Sequence, residues 1–162
     1  MLDAGAYPAL DFVDGGLPST YLCDLDELLN LYNLFLAHAA SEGATSMVIE
    51  IADGLLQNET AGLLQNSRFS RTVDAWIFAA GDPLAAAAGV RVLRSWRIKP
   101  VAISGVVSMS PLAVKEAQTA TGLPCVTAQD LGRGKLNARL LELPVPVPVA
   151  RAATEGMYQC SE

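Results

Sequence analysis

Charge is scarce in this sequence. Asp, Glu, Lys and Arg make up 17% of its 162 residues, against roughly 25% in an average soluble domain, while 51% are hydrophobic. So thin a charged surface points to a sheet buried on both faces and to a surface shared with a second chain. The charge present leans acidic, with 17 Asp and Glu against 11 Lys and Arg, a net charge of −6 and a pI near 4.7. This balance argues against nucleic acid and against an anionic membrane as partners.

Cysteine and histidine are equally sparse. Cys23, Cys125 and Cys160 are odd in number and lack the spacing of a zinc ribbon or a redox pair. A disulfide framework is therefore not expected, and a reducing cytoplasmic setting is. No apolar run approaches the roughly 20 residues of a membrane span. His38 is the single histidine, and on a helical wheel it falls off the apolar face of its segment, so no Ser–His or Cys–His pair can be assigned. The phosphate-cradling pattern Gly-x-x-x-x-Gly-Lys-Ser/Thr is also missing. The nearest stretch, Gly132-Arg133-Gly134-Lys135-Leu136, has neither its spacing nor its hydroxyl residue.

What the sequence does contain is a rhythm of short apolar runs at 10–13, 47–51, 76–80, 101–104 and 124–127, separated by helical patterns. Met47-Val48-Ile49 and Trp76-Ile77-Phe78 do not alternate with polar residues, the pattern of parallel strands covered on both sides. Asp24 with Glu27 marks a helix start. Behind it Leu25, Leu28, Leu29, Tyr32, Phe35, Leu36 and Ala39 share one face, and Gly43 follows. Asp82-Pro83 and Ser110-Pro111 repeat the start signal, with Gly122 as a stop. A weaker helical segment lies between Gly54 and Asp74, and a short one is expected at 136–141. The predicted architecture is an α/β fold, a three-layer, largely parallel sheet of about five strands with helices on both faces, with 47–51 and 76–80 near its centre. Residues 1–142 are expected to form one domain. Residues 143–162 are expected to form an extended Pro/Val tail, in which Pro144, Pro146 and Pro148 alternate with valines, followed by a C-terminal segment of little pattern.

In such sheets ligands bind beyond the carboxyl ends of the strands. The positions to inspect there are Asp14, Gly15 and Gly16, then Glu50, Asp53 and Gly54, then Gly81 and Asp82, and finally Ser104, Gly105 and Ser108. Glu50 stands out, because a carboxylate inside an apolar strand costs free energy unless paired, protonated or metal-bound. With Asp53 three residues on, it suits Mg²⁺ coordination or general acid/base work, and a structural ion pair suits it equally. Asp53-Gly54 also suits a plain turn, and Asp82 is fully explained as a helix cap. Arg91 and Arg94 fall on one side of their helix, as a solvated face would have them.

From Glu50 onward the order of elements resembles the dethiobiotin-synthetase-like class of P-loop proteins. The carrying motifs are Met47-Val-Ile-Glu-Ile-Ala-Asp-Gly-Leu-Leu56, Trp76-Ile-Phe-Ala-Ala-Gly-Asp-Pro83, Lys99-Pro-Val-Ala-Ile-Ser-Gly-Val-Val107 and Thr121-Gly-Leu-Pro-Cys-Val126. They cover about 45–127. The resemblance implies a P-loop-NTPase-like sheet in which Glu50 helps to hold Mg²⁺ beside nucleotide phosphates. It covers the later part of such a domain, without the strand, phosphate loop and helix that open it. The expectation is a non-hydrolysing domain that binds a small ligand or a protein partner and forms a homo-oligomer. One alternative is a Mg²⁺-dependent enzyme of ligase or phosphoryl-transfer type using Glu50 and Asp53; another is a component that becomes active only beside a second chain that supplies the phosphate loop.

Overall fold

The computed structural model describes residues 5–137; the segment 143–162 and most of the helix expected at 136–141 lie outside them. In chain order the elements are α1 (Leu25–Ser41), α2 (Asn58–Gln65), α3 (Ser67–Ser70), β1 (Ile77–Ala79), α4 (Pro83–Ser95), β2 (Ala102–Ser104), α5 (Pro111–Thr121) and α6 (Ala128–Gly132), with a 3₁₀ turn at Val106–Met109. They divide into two compact units, residues 5–73 with 94–98 and residues 74–93 with 99–137.

The five-stranded, three-layer sheet is not what forms. Among the described residues the sheet has two strands of three residues, and the architecture is mostly helical. β1 and β2 run parallel with Ile77, Phe78 and Ala79 opposite Ala102, Ile103 and Ser104. An isolated parallel bridge joins Ile103 to Cys125, through Ile103 N–H to the Pro124 carbonyl at 2.8 Å and Val126 N–H to the Ile103 carbonyl at 2.9 Å. The apolar runs at 76–80, 101–104 and 124–127 thus do meet side by side, with β2 in the middle and β1 at the end of the ladder rather than at a sheet centre.

The other two runs fail for local reasons. At 10–13 side chains capture the backbone donors that a ladder needs. Asp11 Oδ1 accepts from Val13 N–H and Asp14 Oδ2 from Asp11 N–H, both at 2.8 Å, the Asx-turn alternative to strand pairing. The run at 47–51 is irregular. It is followed at Asp53 by a left-handed residue with φ 68°, which breaks any extended path. Apolar character alone did not make it a strand.

In the first unit α1 begins with the expected capping box, Asp24 and Glu27 exchanging side-chain and backbone bonds. Leu28, Leu29 and Tyr32 of its apolar face are buried. Tyr32 meets Phe69 edge to face at 4.8 Å between ring centres, and its hydroxyl shares a 2.6 Å hydrogen bond with that of Thr72. The polar tip of a buried tyrosine is thereby satisfied.

In the second unit α4 and α5 flank the short ladder. Ala86, Val90, Ile103, Val107 and Ala117 close into a core with Ala80 and Cys125. Gly89 on α4 lies so close to the Phe78 ring that a side chain there would overlap it. Both helices start as the sequence indicates. Asp82 Oδ1 accepts Ala85 N–H at 2.8 Å, Ser110 Oγ accepts Ala113 N–H at 3.5 Å, and Gly122 ends α5 in the left-handed conformation, φ 72°. A smaller cluster, Ala102, Val126 and Leu136, packs beneath α6 residue Leu131 and Val101.

Candidate functional site

The expected site residues divide between the two units. Asp14, Gly15, Glu50, Asp53 and Gly54 belong to the first, Asp82 and Ser104 to the second.

Glu50 is solvent-exposed in the irregular segment, as is Asp53. A carboxylate buried in a strand would need a partner. With neither burial nor strand, Glu50 carries no desolvation cost that a metal or partner must offset. Gly54 accepts Gln57 N–H at 3.0 Å in the turn before α2. Asp14 closes the 11–14 turn. Gly15 lies against the Leu31 side chain, whose end would have to move to admit a Cβ. Among the described residues no group of three or more His, Cys, Asp or Glu side chains is placed to hold a metal ion. Asp82 is engaged as the cap of α4, and Ser104 Oγ donates to the Val126 carbonyl at 2.8 Å. His38 and Arg91 face solvent, as does Arg94. The near-miss phosphate stretch is structural too. Lys135 pairs with Asp130 at 3.4 Å, and Arg133 caps α6.

Two features remain that sequence reasoning did not isolate. In the first unit a cleft of about 280 Å³ is lined by Leu22, Cys23, Asp24, Leu25, Leu28, Asn58, Glu59 and Gly62. Glu59 reaches across it to accept Leu22 N–H at 2.6 Å. That bond holds Leu22 in a left-handed conformation, φ 61°, uncommon for a leucine. Partial burial, then the carboxylates of Glu27, Glu59 and Asp24, push the Cys23 thiol above its ordinary value, so it is a protonated thiol at neutral pH rather than a nucleophile. Cys125 is likewise raised by burial, against a small opposing pull from Lys135.

In the second unit the carboxyl ends of β1 and β2 open onto one edge. Gly105 follows β2 with φ 92° and ψ −162°, a region open essentially to glycine alone. A Cβ there would lie 2.8 Å from the Ala80 carbonyl oxygen and 2.9 Å from its nitrogen. Ala80 in turn donates to the Ser104 carbonyl at 2.9 Å and accepts Val107 N–H at 3.0 Å. The exits of the two strands are thus bonded to one another. Beyond them the chain exposes large apolar side chains: Leu84 at 79%, Val106 at 66%, Met109 at 82% and Leu112 at 66% of their surface. They come from the first turns of α4 and α5 and the 3₁₀ turn packed between β2 and α5. In the sequence these residues read as ordinary apolar positions of the 3₁₀ turn and of the first turns of the two helices; only their exposure sets them apart.

Among the described residues no helix is long and apolar enough to cross a membrane. No protein-family model matches the chain, and no curated protein or solved structure matches it either.

Proposed function

We propose that the chain is a non-hydrolysing binding domain that associates with a second copy of itself through the carboxyl edge of the β1–β2 sheet. The observation that carries this reading is the exposed set Leu84, Val106, Met109 and Leu112 on bonded, sterically fixed strand exits. Scattered single exposed leucines are ordinary. Four large apolar side chains brought to one edge by consecutive β–α connections are a surface that a partner stabilises. Burying each from water contributes roughly 1.5–3 kcal/mol before the cost of association. The low charge of the chain favours the same reading, since few groups must be desolvated. Glu50 and Asp53, both solvent-facing, give the Mg²⁺-dependent ligase or phosphoryl-transfer alternative weaker support.

Light scattering on the full chain at micromolar concentration tests the proposal. The expected mass is twice the 17.0 kDa chain mass or a higher multiple. The double substitution Met109→Asp, Leu112→Asp places charge on exposed positions and should return the monomer with its helical signal intact. A monomer at every concentration for the unsubstituted chain would sink the reading.

A further inference from the structure

We infer that the surface seated on this edge is the valine–proline segment 143–149 of the second copy, exchanged reciprocally. The inference rests on the self-association proposed above and adds its occupant. Area makes the first argument. Four Leu, Val and Met side chains supply on the order of 400 Å² of apolar surface, about half of the ~800 Å² that each partner gives to a stable interface. The edge alone falls short, and apolar surface must come from elsewhere in the chain. Leu143-Pro-Val-Pro-Val-Pro-Val149 holds no charged or hydrogen-bonding side chain, and it is the longest such stretch outside the described residues.

Reach makes the second argument. Leu136 is buried against Ala102 and Val126, and Val106 follows Ala102 by four residues, about 13 Å of extended chain. From Leu136 to Leu143 the chain spans up to roughly 23 Å when extended. The intervening chain is therefore long enough for the segment to reach a carboxyl edge. Its chemistry fits the edge as well. In an extended path Val145, Val147 and Val149 share one face, while the prolines present no N–H. The segment can thus cover apolar side chains without adding a row of donors that would need partners. Reciprocal exchange about a two-fold axis uses the contact twice in one association, which supplies the missing area on both copies.

Two measurements on the full chain test this. In light scattering, Val145→Asp with Val147→Asp and Val149→Asp should weaken association at least tenfold, as the edge substitutions do. A dimer that survives the valine substitutions but not Met109→Asp, Leu112→Asp would overturn this inference and leave edge-to-edge association standing. A wild-type monomer at all concentrations would instead remove the association reading itself. In the second measurement one chain carries Val147→Cys and the other Met109→Cys, and the mixture is oxidised. Disulfide-linked dimers should form at least tenfold faster than from chains with their native cysteines alone. Cross-linking no faster than that baseline would overturn the inference. So would ready internal closure, without linked dimers, in a single chain carrying both substitutions.

Discussion

Two apolar runs of similar length meet opposite fates in this protein. In the run at 101–104 Ala102 and Ile103 are fully buried, while in the run at 47–51 Val48 is 83% exposed. Hydrophobicity does not separate them; their neighbours do. The first is followed by a glycine that turns the chain sharply and then by a proline-started, serine-capped helix that folds back over it, and strand partners lie on both sides. The second runs into a left-handed aspartate and a turn, with no strand beside it among the described residues. A strand is a relation between segments, because its backbone donors and acceptors must find a ladder.

The comparison breaks most visibly in the core. Ile103→Ala should cost about 2–5 kcal/mol in urea unfolding, whereas Val48→Ala should stay within about 0.5 kcal/mol. A loss above ~1.5 kcal/mol at Val48 would mean that the 47–51 run is covered after all. The helix starts allow a finer contrast. Asp82→Ala removes a 2.8 Å cap bond and should cost about 1 kcal/mol. Ser110→Ala removes a bond of 3.5 Å and should cost less, measured by the same unfolding curves. If the two losses were equal, distance would be a poor guide to the strength of these caps.

The smallest effect concerns acid. Backbone and side-chain hydrogen bonds with Thr127 hold the Asp130 carboxyl below its ordinary value, against an opposing effect of burial and with smaller help from the Lys135 ammonium. A depressed folded pKa stabilises the protein above the ordinary carboxylate value near 4. That stabilisation fades as pH falls through the lower folded value. Asp130→Asn should therefore reduce the stability difference measured between pH 5 and pH 3, and leave the difference between pH 7 and pH 5 unchanged.

Helix boundaries were legible in the sequence because their signals are local. Asp24 with Glu27, Asp82-Pro83, Ser110-Pro111 and Gly122 each act within one turn, and each stands where the chain said it would. Thr127 with Asp130 forms a further capping box, although Thr127 also closes the apolar run at 124–127. Strand pairing was legible only where a capped helix joined two runs, as at 76–80 and 101–104. Glu50 illustrates the failure that follows. Its candidacy depended on a strand, and the strand depended on partners that no local pattern encodes. The exposed edge was hidden for a different reason, since Val106, Met109 and Leu112 resemble ordinary core residues until their exposure is known.

The close approach of Gly105 to Ala80 has a bearing on dynamics. Two strand exits tied together by backbone bonds, with a glycine between them that tolerates no Cβ, have little room to move independently. If a partner docks on this edge as proposed, it meets a frame that gave up its backbone freedom at folding. Association then orders mainly side chains, and each rotamer-rich one that is immobilised costs only about 0.5–1.5 kcal/mol.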